Sequence, residues 1–407
     1  MSTIVLFEPE NIGSFGPLIL LRSVAELKYG ILSNLERAQA VLPPDTDLHL
    51  WIRPVLAEDH IRRFPTIPIN KDVKDECILL HAGIPAWHYP VLLQILSKHK
   101  EIVLRRAGVI IAVKSAGPQI FSHDFHHSFE AIPHKELDDQ LLTDLPLWIW
   151  DYLDLIRAGI EFDLTIWKEE KQYLQKLKDR HSTLEEKQIF IHNTAELNDY
   201  VHLDASKGPI VIDQDSKVSS FSSLTGPLYI GKRSTVKPSA NISQSIIGNV
   251  CNIGGEVKGS IIHPYSNKSH QGYLGDSMIG SWVNLGAGTN VSNLKNNYHD
   301  IRVSWDGNSY DTGRQFLGCM IGDHTKTAIG VRLNTGTFIG PFSNIFQNDF
   351  PPMAIPSFSW GNGVYEFDRA IETAKKVLHR RGKVPSATEL ALFKALAKDT
   401  TPFTHFK

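Results

Sequence analysis

Between Val211 and Ile345 an aliphatic residue keeps returning at a spacing of six, and this limits the fold more than any other feature of the chain. Ile212, Val218, Leu224, Ile230, Val236 and Ile242 fall in one unbroken register. The count slips once, resumes from Ile247 to Ile253, returns as Ile279, Leu285 and Val291, and runs again as Leu333, Ile339 and Ile345. A period of six fits neither a helix nor the simple alternation of a half-buried sheet, so each hexad predicts one short strand plus a turn. Three hexads then make one triangular coil. The aliphatic residue of each hexad points into the prism and stacks on its equivalents above and below. The glycines of Ile230-Gly231, Ile279-Gly280, Ile321-Gly322 and Ile339-Gly340 are expected to supply the backbone freedom of tight corners.

The repeat is interrupted twice. Ile262 to Tyr273 holds a cluster of polar residues. Ser292 to Leu317 contains Ile301-Arg302-Val303-Ser304-Trp305 followed by Asp306-Gly307, a strand and hairpin-turn signal, and predicts an arm projecting from the prism. Pro351 to Gly363 closes the coil, and Glu366 to Lys383 and Ala387 to Lys398 carry helical patterns.

Upstream of the repeat the pattern changes. Short apolar runs at residues 3–7, 48–51, 78–81, 101–104 and 109–113 predict strands, and residues 24–42, 90–98, 147–157 and 163–176 predict helices. This alternation indicates an α/β domain with a mostly parallel sheet. Ligands of such sheets sit at the carboxyl ends of the strands, which makes the loop from Glu8 to Gly16 the natural phosphate-side candidate. Lys168 to Lys187, rich in Lys, Glu and Gln, reads as a solvated helix linking the two halves. The expected division is residues 1–190 for the α/β domain and linker, 191–363 for the prism with its arm at 292–317, and 364–407 for the C-terminal helices.

Composition sets the remaining bounds. An apolar content of 42% and a charged content of 21% are those of an ordinary globular protein, and a formal net charge of -2 argues against a general nucleic-acid or membrane-surface binder. Three cysteines, Cys77, Cys251 and Cys319, make neither a disulfide framework nor a zinc spacing, so a reducing cytoplasm is the expected setting. The first residues lack the pattern of a signal peptide, and no stretch has the roughly 20 apolar residues of a membrane span.

Candidate functional residues gather where the repeat is broken. Lys258, His270, Tyr273, Asn284 and Asn293 lie about one coil apart in pairs, and stacking is expected to bring them into a single groove beside the arm. An amine attacking a thioester needs a base, and imidazole is the side chain suited to that task near neutrality. Tyr273, Asn284 and Lys258 can hold sugar hydroxyls and a phosphate.

The motif adds a family resemblance. The run from Lys258 through Ser269-His270-Gln271-Gly272-Tyr273-Leu274-Gly275-Asp276 to Asn284-Leu285-Gly286-Ala287-Gly288-Thr289 resembles the acyltransferase half of the GlmU-like family. These are bifunctional N-acetylglucosamine-1-phosphate uridyltransferases and glucosamine-1-phosphate acetyltransferases. The resemblance implies a left-handed parallel β-helix of hexapeptide repeats, a homotrimer, and acetyl-CoA bound between neighbouring prisms. It implies His270 as catalytic base, Lys258 as a sugar-phosphate ligand, and Tyr273, Asn284 and Asn293 as substrate contacts. Leu294 stands where the family has a tyrosine. The insertion before Gly313-Arg314 resembles a branch of the family found in archaea and some bacteria.

The N-terminal half resembles a diverged sugar nucleotidyltransferase, a Rossmann-like α/β domain, through its opening strand, Pro17-Leu18 and the run Arg22 to Gly30. That resemblance implies a nucleoside triphosphate and a sugar 1-phosphate as substrates, a magnesium ion, and Arg22 and Lys28 as phosphate ligands. Arg22 sits where the family has a lysine, and Gly83 takes the place of the aspartate that holds the metal.

The expected function is acetyl transfer from acetyl-CoA to an amino-sugar 1-phosphate, with nucleotidyl transfer in the head as a second activity, and a fragment 190–407 is expected to retain acetyl-CoA turnover. The alternatives are a sugar-1-phosphate nucleotidyltransferase whose prism only trimerises, and a non-catalytic oligomeric scaffold.

Overall fold

The computed structural model describes residues 3–122, 125–138, 140–167 and 181–398. The N-terminal head is a six-stranded sheet in the order β2-β1-β3-β5-β4-β6, formed by Thr3–Phe7 (β1), Asp47–Trp51 (β2), Cys77–His81 (β3), Ile102–Arg106 (β4), Val109–Ser115 (β5) and His134–Glu136 (β6). β2, β1 and β3 run parallel, whereas β5 pairs antiparallel with both β3 and β4. The sheet is therefore mixed, because β4 and β5 form a hairpin with no crossover between them.

Helices Asn34–Val41 (α1), Pro54–Arg63 (α2), Tyr89–Leu96 (α3) and Ile156–Ile166 (α4) pack around it. The helix expected over residues 24–42 begins only at Asn34. Ser33 caps it with a reciprocal Glu36 capping box, and Gly30 lies against Gly159 and Arg37 with no room for a side chain. Of the expected linker helix, 168–180 lies outside the described residues, and Ser182–Leu184 is a strand of the first coil.

The hexads form a parallel β-helix with three faces. The first stacks strands such as Ile210–Ile212, Ile261–Ile262, Met278–Ile279, Met320–Ile321 and Phe338–Ile339. The second stacks Lys217–Val218, Thr235–Val236, Asn252–Ile253 and Asn267–Lys268, and the third His202–Asp204, Glu256–Lys258 and Tyr273–Gly275. Inward aliphatics from all three faces, among them Ile212, Val218, Leu224, Ile230, Val236 and Ile242, make one continuous buried core.

Corners are built differently from the expectation. The glycines after the inward isoleucines lack left-handed φ. They are small because the coil above presses on them: a Cβ on Gly340 would lie 2.3 Å from the Ser357 nitrogen. One corner column instead places Tyr265, Trp282, His324, Phe342 and Phe358 at φ of 56–67°. Their rings stack in sequence, with centroids 4.1 Å apart for Tyr265 and Trp282 and 4.6 Å for His324 and Phe342. Stacking contacts offset the backbone cost of left-handed residues that are not glycine.

On the first face the residue preceding each inward one is also apolar. Val211, Tyr229, Ile246, Ile261, Met278, Met320 and Phe338 point outward, yet none is more than 3% exposed. They join the core of the head, covered by α4 and the turn of helix Ile12–Ile19. Each contributes about 1.5–3 kcal/mol by leaving water. Head and prism thus share one hydrophobic interior.

The arm does not project. Arg302–Trp305 and Asn308–Asp311 form an antiparallel hairpin, with Ile301, Val303 and Trp305 on an apolar face buried against prism and head. Tyr310 packs on Trp148 with ring centroids 4.8 Å apart, and Arg314 binds Asp151 and Asp154 of the head. Phe367–His379 (α5) and Ala387–Lys398 (α6) follow the last coil, with Phe393 of α6 edge-on to His324 and Phe342.

Candidate active site

His270 lies in the corner between Asn267–Lys268 and Tyr273–Gly275. The corner is fixed from inside the prism. Lys268 pairs across the stack with Ile253, takes an inward position and is buried. Its Nζ donates to the Gly254 carbonyl at 2.9 Å and to the His270 carbonyl at 2.8 Å, and burial pushes the ammonium pKa down to about 8. From the next coil the Gly288 N–H donates to the Gln271 carbonyl at 3.0 Å. The backbone of His270 is held while its imidazole stays exposed.

That imidazole faces a groove of about 990 Å³ on the second face, shared with Asn284, Lys326, and Arg380 and Arg381 beyond α5. Asn252, Asn267 and Asn284 stack outward along it. Asn252 donates to Asn267 Oδ1 at 2.8 Å, and Arg381 reaches the same oxygen at 3.3 Å. A groove lined with amides and rimmed by cations suits a polar, anionic ligand.

Lys258, Tyr273 and Asn293 lie around the corner on the third face. Lys258 is exposed and pairs with Gly275. Asn293 Nδ2 donates to Tyr273 Oη at 3.0 Å and to Asp276 Oδ2 at 2.5 Å. Both amide hydrogens are then used, which leaves Asn293 Oδ1 as an outward acceptor. Tyr273 keeps its own hydrogen to donate. Burial first, then the charges of Asp276 and Glu256, raise its pKa above the usual phenol range. Burial also raises the pKa of Asp276, against the opposing pull of Asn293 and Lys258. This side therefore offers a cation, a hydroxyl donor and an amide acceptor.

The five residues expected in one groove are thus divided: His270 and Asn284 on one face, Lys258, Tyr273 and Asn293 on the next. A triangular coil changes direction at every corner, so residues three apart such as His270 and Tyr273 flank the edge rather than share a side. Sequence reasoning missed two residues here. Asp276 was legible in the Gly275-Asp276 pair, and Lys268 as a lysine at an inward strand position.

The head's candidates are committed elsewhere. Arg22 is buried, with Nη2 2.5 Å from the Asp323 carboxylate and 3.2 Å from Ser281 Oγ of the prism, which corrects its expected place as a free phosphate ligand. Lys28 donates to the Ile31 carbonyl at 3.1 Å and lies 3.5 Å from Glu36. Both line a cavity of about 460 Å³ where head, prism and α6 meet. Among the described residues, no three His, Cys, Asp or Glu side chains gather as a metal site.

A mixed α/β head fused to a triangular β-helix invites comparison with transferases of sugar nucleotides. Residues 4–172 match a family model described as sugar nucleotidyl transferase. The chain is 35% identical over 161 residues to a bifunctional sugar-1-phosphate nucleotidylyltransferase/acetyltransferase of Sulfurisphaera tokodaii, covering 39% of each. It is 34% identical over 121 residues to the bifunctional protein GlmU of Methanococcus vannielii, covering 30% of this chain and 28% of that one. With the bifunctional protein GlmU of Methanococcus maripaludis it shares 31% over 192 residues, 41% of this chain and 45% of the relative. These are likenesses over part of each chain, and the chain spans less than half the length of these curated relatives. Among solved structures, a putative acetyltransferase of Bacillus cereus aligns over 51% of this chain and 99% of its own at 12% identity and a TM-score of 0.31, too weak a likeness to carry an argument.

Proposed function

We propose that this chain transfers an acetyl group from acetyl-CoA to the amine of an amino-sugar 1-phosphate. The observation that carries the reading is His270, its carbonyl pinned from within by Lys268 and its imidazole exposed beside Asn284. His270 takes a proton from the substrate ammonium, freeing the nitrogen lone pair. The nitrogen attacks the thioester carbonyl. A C–N bond forms and the C–S bond breaks; of the two protons the nitrogen gives up, the first leaves from His270 to solvent and the second goes to the thiolate. Across the interface between copies, Lys258 of the neighbouring copy meets the sugar phosphate, its Tyr273 donates to a sugar or phosphate oxygen, and its Asn293 Oδ1 accepts from the amine. The cationic groove rim at Arg380 and Arg381 receives the phosphates of acetyl-CoA. The chain works in this reading as a cytoplasmic homotrimer.

The test is free-thiol release from glucosamine-1-phosphate and acetyl-CoA. Because His270 is exposed, His270→Ala should keep its fold while turnover drops about a hundredfold or more. Wild-type protein that releases no thiol, or a variant that matches it, rules the assignment out.

A further inference from the structure

The strand order of the head changes direction at β1 and β3, and such a switch point opens a ligand crevice beyond the carboxyl ends of the strands. Here the crevice already holds an anion. Glu8, the first residue after β1, is 5% exposed. Its carboxylate accepts the backbone N–H of Val24 at 3.2 Å and of Arg53 at 2.9 Å, and the Arg53 side chain through Nε at 2.9 Å and Nη2 at 3.2 Å. The same Nη2 donates to the carbonyls of Ile19 at 2.6 Å and Arg22 at 2.9 Å. Two backbone amides and a guanidinium converging on one oxyanion are the groups a bound phosphate would use.

The neighbouring strand end is equally closed. A Cβ on Gly83 would lie 2.9 Å from Tyr152 Oη, 3.0 Å from His81 Cε1 and 3.2 Å from Val24 Cγ2. Tyr152 Oη donates to the Gly83 carbonyl at 2.8 Å. Gly83 offers no ligand and an added side chain would have to displace Tyr152 and His81, so the residues present do not fit a magnesium ion at the end of β3. The loop that should frame an incoming nucleotide is the helical turn Ile12–Ile19, with Ile12, Phe15, Leu18 and Ile19 buried.

We infer that the head keeps its own Glu8 carboxylate in the position of a substrate phosphate, so that it carries out no nucleotidyl transfer and serves as the wall on which the first face of the prism packs. This stands independently of acetyl transfer in the prism.

The full-length protein is titrated with each nucleoside triphosphate and magnesium, then assayed for pyrophosphate with glucosamine-1-phosphate and N-acetylglucosamine-1-phosphate. The expected result is no pyrophosphate and no binding beyond what saturating coenzyme A competes away; pyrophosphate, or binding that coenzyme A leaves in place, overturns the inference. A second measurement reads Glu8 directly. Glu8→Ala should lower Tm by about 5 °C or more by stranding Arg53. Sodium formate, which can refill the vacated position, should raise the variant's Tm above its value in equal sodium chloride and leave wild type unmoved. A Glu8→Ala Tm within about 1 °C of wild type, or an equal formate response in both proteins, also overturns it.

Discussion

Lys268 occupies a core position where the pattern demands an aliphatic side chain. Among the described residues no carboxylate neutralises it, and it bonds only to backbone carbonyls. Its folded pKa of about 8 is below that of a free lysine, so the unfolded chain binds the proton more tightly between pH 8 and about 10.4. Keeping this ammonium buried costs stability in full below pH 8, and the cost fades as pH rises through that window. Such a cost suggests a task, and the bond to the His270 carbonyl supplies one. Lys268→Met is expected to lower kcat for acetyl transfer roughly tenfold, the loss of one hydrogen bond to a charged group. Wild type should gain in Tm on the variant from pH 8 to about 10. Unchanged kcat would mean that the corner holds its shape without the lysine. The residue escaped the hexad reading because corner lengths vary: Val236 to Ile253 is seventeen positions and Ile253 to Lys268 fifteen, so a fixed period loses register there. The motif residues were legible by type and spacing. Their division across an edge was not, since spacing in sequence does not reveal where a coil bends.

The repeat itself was legible as an element, and in its regular run the inward residues Ile212, Val218, Leu224, Ile230, Val236 and Ile242 fall where a period of six puts them. The outward apolar column was equally present in the sequence, as Val211-Ile212, Tyr229-Ile230, Ile246-Ile247, Ile261-Ile262, Met278-Ile279, Met320-Ile321 and Phe338-Ile339. Counting one aliphatic residue per hexad passed over it. The column alters the outlook for the fragment 190–407, which would present this whole stripe to water. Stripped of the head, that fragment is expected to aggregate, seen as void-volume elution in size-exclusion chromatography. Replacing Ile246, Ile261 and Met278 with serine should return it to a discrete species. A monodisperse unsubstituted fragment would contradict the shared interior described above. The arm follows the same logic, because the alternation of Ile301, Val303 and Trp305 gives it a face that must be covered.

Across the whole molecule, the buried ion pair of Arg22 and Asp323 ties head to prism. Burial raises the pKa of Asp323 even though Arg22 opposes it, so this carboxylate depends on its partner. Arg22→Ala should cost roughly 3–5 kcal/mol in urea unfolding, and the double change Arg22→Met with Asp323→Leu should recover most of that loss. A single variant as stable as wild type would show that the contact does no structural work. Sequence could not foresee this pairing, since the partners are 301 positions apart and the fit between two domains leaves no periodic trace.

A three-sided rod with one side walled off has two sides left, and identical copies that close a ring join unlike patches, two per copy. One of the open sides carries His270 and Asn284, the other Lys258, Tyr273 and Asn293. In such a ring the flank bearing the imidazole on one copy would look across a seam at the flank bearing the lysine on the next. Chemistry separated by an edge within a single chain would then be reunited between neighbours.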